Sequence, residues 1–268
     1  PMNPHPHTEK RNPFPGHGQG HGKGNNLRLV AWETTRNCNL SCAHCRASAT
    51  NGPYAGELDT GQAFKLLDEI AEVGKPIIIL TGGEPLLRND IFDIAKYGDN
   101  LGLRMVMAPN GTLITPAVAE KMAACGIRRI SASIDGATKE FHDKFRGVDG
   151  AFDAAMRGIE YVKAAGIEFQ INTTITKTNL DQIPKILELA EGLGAVAHHI
   201  FLLVPTGRGK YIVDQAIDAD EYETTLNWFY DQREKTALQL KATCAPHYYR
   251  ILRQRAKAEG KPITFQTH

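Results

Sequence analysis

The feature that most constrains the fold is the alternation of short apolar runs with longer amphipathic segments, which begins at Leu27. Six runs rich in valine, isoleucine and leucine predict strands, at Leu27–Glu33, Pro76–Leu80, Leu103–Met107, Arg129–Ser133, Glu168–Thr174 and His199–Leu203. Six helical patterns separate or follow them, at Gly61–Val73, Asp90–Leu101, Pro116–Cys125, Gly150–Ala165, Leu180–Leu193 and Ala219–Thr236. Apolar strands joined by amphipathic helices are typical of a parallel sheet buried on both faces. The sequence therefore predicts an α/β fold, an open partial barrel of six βα units, (β/α)6.

Composition divides the chain into three parts. Residues 1–26 are rich in His, Gly and Pro and almost free of apolar side chains, which predicts a disordered tail. We expect the partial barrel at residues 27–205 and a C-terminal helical extension at residues 206–268. A formal net charge of +1 and the lack of an 18-residue apolar run favour neither nucleic acid nor membrane partners.

Cys38, Cys42 and Cys45 form a C-x3-C-x2-C motif directly after the first predicted strand. Three thiolates at this spacing can bind one metal centre. A structural zinc site takes four Cys or His ligands, and a four-iron cluster is normally held by four cysteines. Three cysteines therefore leave one iron open, and His44 lies too tightly between two of them to chelate easily. The spacing favours an iron–sulfur cluster, with zinc as the alternative.

Together with a second motif, these cysteines resemble the radical S-adenosylmethionine (SAM) superfamily. The segment LTGGEP at Leu80–Pro85 follows the second predicted strand, as the GGEP segment does in that family. The resemblance implies a radical SAM barrel with a [4Fe–4S] cluster on the three cysteines and SAM on the open iron. In the family, an electron from the cluster cleaves SAM to a 5′-deoxyadenosyl radical. The chain departs from the pattern at His44, where an aromatic residue is usual.

The same resemblance implies SAM contacts at the carboxyl ends of the strands, where ligands bind in α/β sheets. Glu84 would face the methionine amine and Ser133 the ribose. For Asp135, the alternative role is that of a helix N-cap. For Asn172, the alternative is a hydrogen-bonded amide in the core. The SAM-binding residues expected from the resemblance are Gly82, Gly83, Glu84, Ser133, Asp135, Asn172 and Val204.

Further blocks, at residues 27–33, 45–49, 202–209 and 243–248, resemble the tetrapyrrole-modifying branch of the superfamily. The resemblance is greatest to the SAM-dependent heme synthases. It implies an oxidoreductase of heme biosynthesis that oxidatively decarboxylates propionates of iron-coproporphyrin III to vinyls. It also implies an iron-porphyrin substrate and an electron donor such as flavodoxin or ferredoxin. The five cysteines, three of them clustered, do not suggest a disulfide framework, so we expect a reducing cytoplasm, and an anaerobic one if the cluster is present.

Four further residues have candidate roles that depend on this resemblance. Arg208 and Lys210 follow the sixth predicted strand and are candidates for binding the substrate propionates, because arginine pairs well with carboxylates. Arg146 is a weaker candidate of the same kind. Cys244 is a candidate ligand of a second, auxiliary [4Fe–4S] cluster, since relatives with an extension often place the first auxiliary ligand there.

Other functions stay open at this stage. The chain could modify another tetrapyrrole, such as a precursor of the denitrification heme, or a ribosomal peptide. A non-enzymatic alternative is a zinc-bound structural protein or a heme carrier. The intact GGEP segment weighs against that last class.

Overall fold

The computed structural model describes residues 27–262, so the predicted tail at residues 1–26 lies outside the described residues. Within this range the strands form one parallel sheet in sequential order, β1 to β7. The strands are β1 Leu29–Thr35, β2 Ile77–Gly82, β3 Arg104–Met107, β4 Arg129–Ser133, β5 Glu168–Ile175, β6 Ala197–Leu202 and β7 Gln239–Thr243. The α/β half-barrel predicted from the alternation is confirmed.

The helices of the described range surround the sheet. They are α1 Thr60–Val73, α2 Ile91–Asn100, α3 Pro116–Ala124, α4 Lys139–Arg146, α5 Ala151–Ala164, α6 Ile183–Leu193, α7 Ala219–Gln232 and α8 His247–Ala258. Short 3₁₀ segments lie at Pro85–Leu87, Leu180–Gln182 and Gly207–Gln215. The helix predicted from Leu180 thus begins as a 3₁₀ turn, and the regular helix follows with a proline in its first turn, where a missing N–H is tolerated.

One strand and two α-helices of the structure were not predicted from the sequence. The six predicted strands are all present, with ends that agree within two residues, but β7 adds a seventh. β7 pairs in parallel with β6, and none of its five residues is fully buried, so it has no apolar run to reveal it. The short charged helix α4 and the helix α8 were also missed.

The two faces of the sheet differ in character. Fully buried apolar side chains such as Leu80, Met105 and Ile130 point towards the helices and form the main core. Ile175 and Ile200 belong to a second core that they share with Leu226 of α7 and Ile251 of α8. Helices α7 and α8, which follow residue 205, are therefore packed against the sheet. The boundary drawn at residue 205 stays a prediction.

Alternate residues of β4 to β7 face away from the helices, because their neighbours fill the core. A row of register partners crosses this inner face, namely Ser133, Asn172, His199 and Lys241 on β4, β5, β6 and β7. Partners in register project to the same side of a sheet. The inner face is thus polar where the outer face is apolar. We call these four residues the polar row. No helix between residues 27 and 262 is long and apolar enough to cross a membrane.

Candidate active site

The cysteine loop follows β1 and is closed by a bridge between Asn37 and Thr50. Cys38 and Cys42 are buried, and Cys45 is half-buried. Two of the three sulfurs each accept a hydrogen bond from a backbone N–H group. Cys38 Sγ lies 3.4 Å from the Leu40 nitrogen, and Cys45 Sγ lies 3.4 Å from the Ala49 nitrogen. Such N–H donors suit thiolate ligands, because they stabilise charge on sulfur.

The third sulfur has a different donor. Arg146 Nη1 lies 3.6 Å from Cys42 Sγ, and both side chains are buried. In the described part of the chain, no three Cys, His, Asp or Glu side chains converge closely enough for a single metal ion. A structural zinc site takes four protein ligands, whereas a four-iron cluster held by three thiolates keeps one iron open, so the number of thiols suits a cluster.

Helix α4 covers one side of the cysteine loop. The backbone N–H groups of Ser41 and Ala43 donate to the carbonyls of Arg146 and Phe145, at 3.1 Å each. The ring of His44 stacks on that of Phe145, with centroids 4.7 Å apart. His44 therefore takes the place of the aromatic residue that the family pattern led us to expect. Burial lowers the pKa of His44 to about 4, so the ring is neutral at pH 7.

Arg208 holds the other side of the loop. Its backbone N–H donates to the carbonyl of Cys45 at 2.9 Å, and its Nε donates to the carbonyl of Cys42 at 2.8 Å. Its Nη1 donates to the carbonyl of Ala49. The preceding Gly207 approaches so closely that a Cβ there would lie 2.1 Å from the Arg46 oxygen. The guanidinium expected to bind substrate is thus largely engaged by the loop backbone, and a substrate contact by Arg208 stays a prediction.

The GGE segment clamps the start of the loop. The backbone N–H groups of Gly83 and Glu84 donate to the carbonyls of Thr35 and Asn37, at 2.7 Å each. A Cβ on Gly82 would lie 2.1 Å from the Thr35 oxygen, so no larger residue fits there. The glycines are needed for packing between backbones, in addition to any role in binding SAM.

Glu84 is completely buried and lies beneath the third strand's loop. Its carboxylate accepts hydrogen bonds from the N–H groups of Leu86, at 3.0 Å, and Asn110, at 2.6 Å. Burial raises the pKa of Glu84 to about 7, although both hydrogen bonds act in the opposite direction. A carboxyl group in this state is poised to gain from a nearby cation, which fits the expected contact with an ammonium group.

Asp135 is also completely buried, and its surroundings differ from a ribose site. Its Oδ1 accepts the Thr174 N–H at 2.7 Å, and its Oδ2 lies 2.6 Å from Arg146 Nη2. Burial alone would raise the pKa of Asp135, but the charge of Arg146 keeps it below the usual range. Asp135 does not cap α4; Thr138 does. The ribose contact of Asp135 stays a prediction.

The remaining expected residues lie at the inner face or the rim. Ser133 and Asn172 are register partners in the polar row, and Asn172 Oδ1 accepts from Gln170 Nε2 at 2.9 Å. Val204 is 42% exposed after β6. Lys210 is exposed, with Nζ 4.8 Å from the Tyr211 ring centroid.

Cys244 lies apart from the motif cysteines along the sheet. It follows β7, whereas the cysteine loop follows β1 at the other end of the strand order. It is exposed and adopts a positive φ of 57°. Its role in a second cluster stays a prediction.

Two buried atoms beside the cysteine loop lack a hydrogen-bond partner, and they give a test of whether a ligand fits. They are His44 Nδ1 and Arg146 Nε. Buried polar atoms are nearly always hydrogen-bonded, so a group of orphans in one place indicates a polar ligand. Together with the three thiols, they make this end of the sheet suitable for a cluster and a polar cofactor.

These features define the class of protein, an α/β half-barrel with a three-cysteine cluster loop and a GGEP segment. The model of the Radical SAM superfamily matches residues 32–190. The chain belongs to the radical SAM superfamily. The cofactors of this family are a [4Fe–4S] cluster and SAM, as expected.

Two curated relatives have names that are more specific than the superfamily. The chain is 59% identical over 237 residues to the AdoMet-dependent heme synthase of Oleidesulfovibrio alaskensis, and the alignment covers 88% of this chain and 61% of the relative. It is 56% identical over 241 residues to the AdoMet-dependent heme synthase of Methanosarcina barkeri, which covers 90% and 68% respectively. The chain thus spans about two thirds of the length of these relatives.

A solved structure supports the fold. Native anSMEcpe with bound AdoMet superposes with a TM-score of 0.65 at 19% identity, covering 89% of this chain and 68% of that one. At this identity the similarity concerns the fold alone.

Sequence reasoning missed much of what holds the site together. From the sequence, Arg146 is considered only as a substrate contact, and α4 is not predicted, because only two of the eight residues of this helix, Phe141 and Phe145, are apolar. The cross-strand neighbours Gln170, His199 and Lys241 could not be recognised, since their proximity depends on strand register.

Proposed function

We propose that this chain carries the radical SAM half-barrel of an enzyme that oxidatively decarboxylates two propionates of iron-coproporphyrin III to vinyls, giving heme. The observation that carries the proposal is the 56–59% identity to proteins named AdoMet-dependent heme synthase. The identity extends over 237 to 241 residues, which is far more than the short cofactor motifs.

The chemistry sets out what the site must provide. Each propionate loses a hydrogen atom from its β-carbon and then carbon dioxide, which leaves a vinyl group. The one further electron released in this step passes to a one-electron acceptor, for which the auxiliary cluster predicted at Cys244 is suitable. When bound, the cluster and SAM supply the one-electron chemistry that removes the hydrogen atom. The reaction also needs a one-electron donor of low potential, for which flavodoxin or ferredoxin is suitable, and a reducing compartment such as the cytoplasm.

The residues of this chain position the reaction. Arg146 and Arg208 hold the cysteine loop at the carboxyl ends of the strands. The hydrogen bonds of Gly83 and Glu84 fix where the loop begins. These contacts keep the three thiols in one place, so that the substrate carbon can be brought to a fixed point at this end of the inner face.

The polar row supports a large polar substrate on that inner face. With strands about 4.8 Å apart, the four side chains extend over about 14 Å, enough to follow one edge of a planar macrocycle. Lys241 ends the row and forms no ion pair within residues 27–262. We propose that Lys241 and Lys210 bind the propionate carboxylates of the substrate. Arg208 was expected to do so, but its guanidinium is largely engaged by the backbone of the cysteine loop.

The test is anaerobic reconstitution of the chain with iron and sulfide, followed by iron-coproporphyrin III, SAM and a reductant, with products read by mass spectrometry. We expect the loss of two formic acid equivalents, in two steps. Formation of 5′-deoxyadenosine with an unchanged porphyrin would contradict the proposed substrate while leaving the family assignment intact.

Binding gives a second readout. Titration of the porphyrin absorption band should show weaker binding for Lys241→Gln, because a cationic partner of a carboxylate is lost. Lys121→Gln is the matched control, since Lys121 lies on α3 away from the inner face. Equal affinities for both variants would remove Lys241 from the proposed site.

A further inference from the structure

A buried ion pair lies directly behind the second cysteine of the motif. Arg146 Nη1 is 3.6 Å from Cys42 Sγ, and Arg146 Nη2 is 2.6 Å from Asp135 Oδ2. The side chains of Arg146 and Asp135 are 8% and 0% exposed. We propose that Arg146 sets the reduction potential of the cluster through Cys42, and that Asp135 holds its guanidinium in place.

The three cysteines are not treated alike by the protein. Cys38 and Cys45 accept hydrogen bonds from neutral backbone N–H groups, whereas Cys42 accepts one from a charged guanidinium. Hydrogen bonds from charged donors are about twice as strong as those from neutral ones. The cationic donor makes Cys42 the electrostatically distinct ligand of the motif.

The position of Arg146 is set from two directions. It ends α4, and its carbonyl accepts the N–H of Ser41 at 3.1 Å. The next residue, Gly147, has a φ of 73°, and a Cβ there would lie 2.8 Å from the Ser41 oxygen. Asp135 is tied in turn to β5 through the N–H of Thr174. The guanidinium is therefore fixed between the end of the sheet and the cysteine loop.

The other titratable groups facing this pair do not cancel the charge. The rings of His44 and His142 face Asp135, and neither carries a negative charge that could cancel the charge of Arg146. Arginine keeps its proton in proteins. Within this part of the described chain, Asp135 is the carboxylate in contact with Arg146, and it contacts the other terminal nitrogen.

The expected effect follows from charge. Reduction transfers one electron from an external donor to the cluster, without a change in covalent bonds, and makes the cluster and its thiolates more negative by one charge. A fixed cation at the sulfur stabilises the reduced form, and its effect is larger in a buried site than in water. Net charge and hydrogen bonds to the sulfurs are what set such potentials. Arg146 should therefore raise the potential, and its removal should lower it.

The test uses the reconstituted full chain without SAM or porphyrin, so its result does not depend on the proposed substrate. Titanium(III) citrate titration, followed by electron paramagnetic resonance, gives the midpoint potential, and iron and sulfide counts give the occupancy. For Arg146→Gln we expect at least a tenfold lower ratio of reduced to oxidised cluster at a fixed potential, equivalent to about 59 mV. Arg146→Lys retains the charge and should lie nearer to the wild type.

Arg88→Gln is the matched control. Arg88 is also buried and paired, with Nε 2.7 Å from Asp90 Oδ1, and it donates to the carbonyls of Thr34 and Leu58. It donates to none of the cysteine sulfurs in the described range. Its loss should lower stability and leave the potential unchanged. An unchanged midpoint in cluster-loaded Arg146→Gln would overturn the proposal, as would an equal shift in Arg88→Gln. Loss of the cluster from both Arg146 variants would also overturn it, because Arg146 would then be a scaffold residue.

Discussion

Replacing Gly83 by alanine tests how the GGE segment and the cysteine loop depend on each other. The added Cβ would lie 2.3 Å from the Asn37 oxygen and 2.8 Å from the Arg36 oxygen. Relief to an ordinary contact of 3.4 Å requires the Asn37 carbonyl to move by about 1 Å. That carbonyl accepts the Glu84 N–H at 2.7 Å, and Asn37 directly precedes Cys38, so the movement displaces the start of the cluster loop.

The magnitude follows from these contacts. Overpacking costs about 1–3 kcal/mol, and weakening the two hydrogen bonds of Gly83 and Glu84 costs about 0.5–1.5 kcal/mol each. We therefore expect a loss of about 2–6 kcal/mol in the free energy of unfolding. In a domain of this size, each kcal/mol lowers the Tm by about 2–4 °C, which predicts a fall of about 4–24 °C.

The assay combines thermal unfolding of the cluster-free chain with iron and sulfide counts after reconstitution. Gly192→Ala is the control, because a Cβ on this exposed residue of α6 meets nothing within 4 Å. Alanine there should stabilise the helix by up to about 1 kcal/mol. A Gly83→Ala chain with wild-type Tm and full iron content would refute the argument that the two backbones are in essential contact.

Two further predictions concern Glu84 and Arg208. The pKa of Glu84 is about 7 in the folded, SAM-free chain and 4.5 ordinarily, so the folded state holds a proton that the unfolded state releases. The free energy of unfolding should therefore fall by at most about 3 kcal/mol as pH rises from 4.5 to 7. Glu84→Gln should remove this pH dependence in denaturant titrations. Parallel pH profiles for the wild type and Glu84→Gln would contradict the prediction. Arg208→Gln should lower stability by about 2–4 kcal/mol and reduce iron content, because charged hydrogen bonds to the loop are lost. Lys210→Gln should keep full iron content, and equal contents in the two variants would show that Arg208 does not hold the loop.

Much of the fold was accessible from the sequence, because the relevant signals are local. Strand and helix periodicities repeat over a few residues, and the boundaries of the six predicted strands agree with the structure within two residues. The motif cysteines and the GGE segment each follow a strand directly, so their place at the carboxyl ends came from the sheet type alone. β7 escaped prediction, because a half-exposed strand at the end of the sheet needs no apolar run.

The contacts that shape the site were accessible only from the tertiary structure. Arg208 reaches the Cys42 carbonyl from 166 residues away, and Arg146 reaches the Cys42 sulfur from 104 residues away. No local pattern records such pairs, since they arise from how α4 and the loop after β6 pack around the cysteine loop. The sequence by itself determined the half-barrel and its cofactor motifs. Packing decided that one arginine holds the loop backbone and another faces a thiol, because a side chain's partner depends on what the fold brings beside it.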